Sequence, residues 1–98
     1  MIDYKYKIKI SSKFKKNYKK ILKQGKDRNK FIYVLRKLSS GQKLDINYKD
    51  HALINDKTYK DCRECHIEPD WLLIYKVKED ELVLLLFATG SHSDLFDK

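Results

Sequence analysis

All three histidines of the chain fall in three short segments of its second half, and each stands beside carboxylates or small polar residues. The segments are Asp50-His51, then Arg63-Glu64-Cys65-His66-Ile67-Glu68-Pro69-Asp70-Trp71, then Thr89-Gly90-Ser91-His92-Ser93-Asp94-Leu95-Phe96. Histidine is the side chain whose ordinary pKa, about 6.5, lets it give and take protons near neutrality. Three of them among carboxylates point to general acid–base chemistry. An incidental surface role is the alternative for each histidine alone, and their placement together at polar turns favours the chemical one.

The charge distribution suggests what such chemistry would act on. Residues 1–49 carry sixteen Lys and Arg against three Asp, and residues 50–98 carry six basic against eleven acidic residues. The halves stand at +13 and −5, together the net charge of +8. A basic half joined to a histidine-bearing half predicts a protein that holds a polyanion with one part and acts on it with another, RNA being the leading candidate. A lysine face that merely keeps a small protein soluble is the competing explanation.

One motif points elsewhere. Cys62-Arg63-Glu64-Cys65-His66 has the C-x-x-C-H spacing of c-type haem attachment, and C-x-x-C also occurs in zinc and thioredoxin-like sites. In a strand, however, residues three apart point to opposite faces, so the two sulfurs cannot readily meet one haem or metal. Nor does a second cysteine pair complete a zinc set. Structural cysteines are the better reading. The same alternation puts Glu64 and His66 on one face and Cys65 and Ile67 on the other, so His66 reaches solvent if the cysteine and isoleucine enter the core.

The elements that must position these residues read as a strand, two helices, a long loop and three strands. Tyr4, Tyr6, Ile8 and Ile10 alternate with lysines, which predicts a strand with one buried face. Phe14, Tyr18, Ile21 and Leu22 recur at helical spacing after the potential N-caps Ser11 and Ser12, while Lys15, Lys16, Lys19 and Lys20 lie on or flank the outer face until Gly25 ends the helix. Asp27 caps a second helix with Phe31, Ile32, Leu35 and Leu38 inward, stopped at Ser39-Ser40-Gly41. Residues 41–60 lack periodicity and predict a loop with His51 near its centre. Strands follow over roughly 61–67, 71–77 and 82–88, the last apolar on both faces and therefore central. The expected fold is α+β: an N-terminal strand, a two-helix hairpin and a three-stranded antiparallel run, forming a small sheet on helices. Residues 1–98 make one domain. No apolar run approaches the ~20 residues of a membrane span and the N-terminus carries no signal-like apolar stretch, so no membrane partner and a cytoplasmic location are expected.

Taken in order and spacing, Asp50-His51-x-Leu53, the run from Arg63 to Tyr75 and Thr89-Gly90-Ser91-His92-Ser93-x-Leu95-Phe96 resemble the YafQ branch of the RelE/ParE toxin superfamily over nearly the whole chain. The resemblance implies a toxin of a bacterial type II toxin–antitoxin pair: an endoribonuclease that cuts mRNA in the decoding site of the 70S ribosome and is held inactive by a cognate antitoxin protein. It also implies that His51, His66, Asp70 and His92 transfer protons or contact phosphate, that Trp71 and Phe96 support the site or the nucleotide, and that neither metal nor other cofactor is required. Lys15, Lys16, Lys19 and Lys20 would hold RNA. Trp71 opens a buried strand and is equally a core residue, which makes Phe96 the better stacking candidate.

The chain departs from this family at one position. Where the family usually carries an arginine immediately before Thr-Gly-x-His, this chain has Ala88. Losing a fixed cation at a transferring phosphate is expected to cost roughly 10²–10³ in rate, by analogy with an oxyanion-hole donor. Either Lys or Arg is supplied from elsewhere in a natural variant, or an alanine has been introduced to tame a lethal toxin. Two further function classes remain on this reading: a non-catalytic RNA- or ribosome-binding protein, and a ParE-like gyrase inhibitor, which would share the fold without needing the histidines.

Overall fold

The computed structural model describes residues 4–96. Its elements are β1 (Lys7–Ile10), α1 (Ser12–Lys23), α2 (Arg28–Ser39), a single 3₁₀ turn (Ile46–Tyr48), β2 (His51–Ala52), β3 (Arg63–Glu68), β4 (Trp71–Lys78), β5 (Val83–Gly90) and α3 (His92–Phe96). The strands form one five-stranded sheet in the order β1-β5-β4-β3-β2. β1 runs parallel to β5 and the other pairings are antiparallel. The α+β class stands, but the sheet is mixed and has a strand that the sequence did not announce.

Local chemistry accounts for the helices. Ser11 accepts a hydrogen bond from the Phe14 amide at 2.9 Å and so caps α1; Asp27 does the same for α2 through the Asn29 amide at 2.9 Å. Phe14 and Ile21 of α1 and Phe31, Val34 and Leu38 of α2 pack on one face of the sheet against Cys65, Ile67, Trp71, Leu73 and Tyr75. Val34 is fully buried, although the expected inward set did not include it. Leu22, expected inward, is exposed, because it lies at the rim of the apolar stripe.

β1 differs most from expectation. It is four residues long, and Ile8 and Ile10 are 38% and 50% exposed, because the strand is paired only on its β5 side and lies at the sheet's edge. Tyr6, just before it, supplies the buried anchor: its amide donates to the Ser39 carbonyl at 2.9 Å and its hydroxyl donates to Glu79.

The opposite face of the sheet is covered by the 53–62 segment and α3. Tyr59, Cys62, Leu72, Ile74, Ala88 and Leu95 form a second apolar cluster there. Cys62 and Cys65 therefore lie in different cores, on opposite sides of the sheet, and both are free thiols. Burial pushes both thiols up, Cys65 far up, which makes them poor nucleophiles.

Candidate active site

The histidines converge on the second face of the sheet, around a carboxylate. β2 pairs with β3 so that His51 stands opposite Glu64, and the alternation of β3 puts His66 on the same face as Glu64. Glu64 is only 5% exposed, and its Oε1 lies 3.5 Å from His51 Nε2 and 3.3 Å from His66 Nε2. His51 is thus strand-borne rather than loop-borne: two residues of pairing with β3 suffice to hold it over Glu64.

Each imidazole is oriented from behind. His66 Nδ1 lies 3.2 Å from the Pro69 carbonyl and His51 Nδ1 2.7 Å from the Lys49 carbonyl. A carbonyl only accepts, so both Nδ1 atoms are donors and both Nε2 atoms are turned to Glu64. In the neutral tautomer those Nε2 atoms carry lone pairs, and a lone pair against a carboxylate oxygen is repulsive. An Nε2 atom and the Glu64 oxygen attract each other only with a proton between them.

His92 is held by a different carboxylate. It opens α3 after Gly90, whose φ of +154° and close approach to Asp94, 3.2 Å from where a Cβ would stand, make any side chain there strained. Ser91 and Asp94 then satisfy each other's amides, the Asp94 amide donating to Ser91 Oγ at 3.1 Å and the Ser91 amide to Asp94 Oδ2 at 3.3 Å. Asp70, in the β3–β4 turn, accepts from the His92 backbone amide at 2.9 Å and from His92 Nδ1 at 3.0 Å. These two hydrogen bonds hold the Asp70 carboxyl below the ordinary aspartate range, the backbone one contributing most. The His66 and His92 ring centres are 5.6 Å apart, and Phe96 follows at 6.2 Å from His92.

His51, His66, Asp70 and His92 therefore come together as expected, with Phe96 beside them. Trp71 does not join them. It is fully buried on the helix-covered face, its indole N–H donating to Thr89 Oγ1 at 2.9 Å, while that hydroxyl donates to the Leu72 carbonyl at 2.6 Å. Its place is beneath the site, where no nucleotide reaches, because opening β4 with an inward residue leaves it no outward face. Lys15, Lys16, Lys19 and Lys20 are exposed on α1, and Lys20 Nζ reaches Asp94 of α3 at 3.3 Å, so the basic face adjoins the histidine-bearing helix.

Ala88 is fully buried and pairs with Ile74, which in turn pairs with Glu64. A row His51–Glu64–Ile74–Ala88 crosses the sheet, so position 88 lies on the same face as the carboxylate, two strands away. Here the position is filled by a methyl group among Leu72, Ile74 and Leu95.

Strand alternation puts Glu64 on the face of His66, but the motifs alone assign it no role. The signal was there: a carboxylate on the histidine face, in a strand whose pairing buries it. Tyr59 lies outside the expected site, in a stretch without periodicity. It packs edge-on to Phe87 and Phe96 and donates to the Leu95 carbonyl at 2.9 Å, fastening α3 to the sheet.

Glu64, His66 and His92 each offer a ligand atom within 4.8 Å of the others. One oxygen and two imidazole nitrogens suit a borderline ion such as Zn²⁺ or Cu²⁺, so these three residues fit a metal.

Comparison with known proteins agrees with this arrangement. Residues 6–97 match the family model of the bacterial toxin of type II toxin–antitoxin systems, YafQ. The mRNA interferase toxin YafQ of Escherichia coli B/BL21-DE3 is 39% identical over 90 residues, which cover 91% of this chain and 94% of the relative. Among solved structures, a metal-bound toxin from Helicobacter pylori superposes with a TM-score of 0.86 at 43% identity, over 93% of this chain and 99% of that one. YafQ in the E. coli DinJ–YafQ toxin–antitoxin complex gives 0.82 at 36% identity, over 94% and 98%. With its histidines, carboxylates and mixed sheet in place and a match along almost its full length, the chain belongs to the YafQ family of type II toxin–antitoxin toxins, a family of mRNA interferases.

Proposed function

We propose that residues 1–98 act as a single toxin domain in the cytoplasm, a ribosome-dependent endoribonuclease that cleaves mRNA in the decoding site of the 70S ribosome and is silenced by a cognate antitoxin. The observation that carries this reading is the pair of differently supported imidazoles, His66 on Glu64 and His92 on Asp70, with ring centres 5.6 Å apart. That spacing suits two groups working on opposite sides of one phosphate.

In this mechanism the ribose 2′-hydroxyl attacks the adjacent phosphorus, the P–O5′ bond breaks, and the products end in a 2′,3′-cyclic phosphate and a 5′-hydroxyl. His66 Nε2 takes the 2′ proton and shares it with Glu64; neutralising a desolvated carboxylate assists the transfer. His92, oriented through Nδ1 by an ionised Asp70, carries a proton on Nε2 and delivers it to the departing 5′-oxygen. His51 completes the Glu64 cluster from the β2 side. Phe96 offers a base-stacking edge beside His92, and the α1 lysines hold the RNA backbone. A bound metal would occupy Glu64, His66 and His92 and supply Lewis acidity there, at the expense of the lone pairs that move protons. The antitoxin partner is supported by the DinJ–YafQ complex among the structural relatives.

Ala88 favours a second reading, ribosome binding without cleavage, because the cation-bearing position is apolar and buried. One experiment separates the two. Ribosomes programmed with a defined mRNA are mixed with this protein or with its Ala88→Arg variant, and the RNA ends are mapped. Discrete cuts with 5′-hydroxyl ends, stronger with Ala88→Arg, support the nuclease; ribosome binding with no cuts from either protein supports the binder.

A further inference from the structure

His66 also forms a wall of a second feature, a cleft of about 650 Å³ between α2, the 3₁₀ turn and the end of β3. β2 pairs with Arg63 and Glu64, so among the described residues the outer edge of β3 carries no strand from Cys65 onward, and the cleft lies along that stretch. Its most distinctive occupants are two tyrosines from different elements. Tyr33 of α2 and Tyr48 of the turn stack with ring centres 6.1 Å apart and planes at 26°, and Tyr33 is 45% exposed. Tyr48 is half-buried, and burial raises its hydroxyl pKa, so it stays neutral. Tyr48 packs its inner side against the main core, while Tyr33 carries the stacked pair out to solvent beside His66.

The polar groups of the cleft have the character of a nucleotide seat. Asn29 and Asn47 line it, each offering one acceptor and two donors to a base edge. Lys49 lines it as well, and Lys37 Nζ stands 5.7 Å from the centre of the Tyr33 ring. Glu68 contributes a negative charge but is held by two lysines, Lys30 at 2.8 Å and Lys26 at 3.3 Å, so this trio remains net positive. Starting from the proton-transfer pair, Phe96 adjoins His92, and the Tyr33–Tyr48 platform lies across the cleft that His66 walls.

We infer that this cleft seats a nucleobase next to the scissile phosphate, stacked on Tyr33 and Tyr48 and read at its edge by Asn29 and Asn47, so that the cleft sets nucleotide preference. The inference rests on the nuclease reading for the position of the scissile phosphate. It makes Tyr33 and Asn47 specificity determinants that lie outside the histidine cluster.

The test uses programmed ribosomes carrying an mRNA with 2-aminopurine placed in turn at each nucleotide flanking the cut, and a 2′-O-methyl group on the attacking ribose to block cleavage. Stacking quenches the fluorophore. One flanking position is expected to be quenched by the parental protein, with about 10-fold weaker binding for Tyr33→Ala and parental behaviour for Tyr33→Phe. Asn47→Ala, on an exposed turn, should keep the quenching and change which nucleotide is preferred there. If no flanking position responds to Tyr33→Ala while the protein still co-sediments with ribosomes, or if Asn47→Ala leaves the preference unchanged, the assignment is overturned. Unmodified mRNA tests the parent reading separately. Absence of cuts from both the parental and Ala88→Arg proteins removes the nuclease, whereas Tyr33-dependent quenching in that case still establishes the base seat.

Discussion

Glu64→Gln is the substitution that probes the proposed mechanism most directly. It keeps the shape of a side chain that is 5% exposed and removes its charge from between two imidazole nitrogens 3.3 and 3.5 Å away. At an effective dielectric of about 20, unit charges at that separation attract by roughly 5 kcal/mol, which bounds the loss at between about 10³ and 10⁴ in rate. The amide oxygen of glutamine recovers part of this. A single hydrogen bond to a charged group, about 1.5–3 kcal/mol, sets the lower bound near 10–10². The expected loss is therefore roughly 10²–10³ in the single-turnover rate of cleavage on programmed ribosomes at saturating toxin. It should be measured from about pH 5.5 to 8.5 in both the parental and Ala88→Arg backgrounds. Ribosome affinity should change little, since the carboxylate acts on charge that develops in the transition state.

Stability distinguishes this role from a structural one. Among the described residues both ionic neighbours of Glu64 are histidines, so its burial is a cost to the fold that glutamine relieves, and the melting temperature should hold or rise. A fall beyond about 8 °C, more than roughly 1 kcal/mol in a domain of this size, would instead mark Glu64 as a structural support. The mechanistic reasoning is refuted if Glu64→Gln cleaves at the parental rate with an unchanged pH profile while His66→Ala is impaired.

Further expectations concern the surrounding groups. Replacing Lys15, Lys16, Lys19 and Lys20 together by Gln should weaken ribosome binding and flatten its dependence on salt without unfolding the protein, because these exposed side chains contribute through counterion release; an unchanged affinity and salt slope would move the RNA footprint elsewhere. The Asp70–His92 tether should survive acidification. Because the folded carboxyl titrates below its ordinary value near 3.8, the tether's contribution is complete above that value and disappears as pH falls through the lowered one, so the His92 amide resonance should titrate with a midpoint under 3.8. A midpoint at or above 3.8 would contradict the two hydrogen bonds. Cu²⁺ should inhibit cleavage, and should bind with 10- to 100-fold lower affinity to His66→Ala by calorimetry, whereas protein stripped with a chelator and then freed of it should retain full activity on Mg²⁺-loaded ribosomes; loss of activity after stripping, restored by adding back the metal, would overturn the metal-independent mechanism.

The sequence carried these residues unevenly, and the reason lies in the range of the interactions. Capping at Ser11 and Asp27 and the strand alternation of residues 63–67 are local, so both helices and the opposed faces of Cys65 and His66 could be read directly. β2 could not: two residues have no periodicity, and His51 is strand-borne only because Glu64 stands opposite. The same holds for β1, whose alternating apolar residues promised a buried face but whose place at the sheet edge leaves Ile8 and Ile10 in water. Glu64 is the most consequential case. Its face was legible, but its role depends on two histidines brought from thirteen residues upstream and two downstream, and on a buried setting that only sheet order decides. The backing of the histidines is likewise set by the fold: the Pro69 carbonyl stands behind His66 and the Asp70 carboxylate behind His92, and on this difference, invisible in residue type, the proposed assignment of base and acid rests.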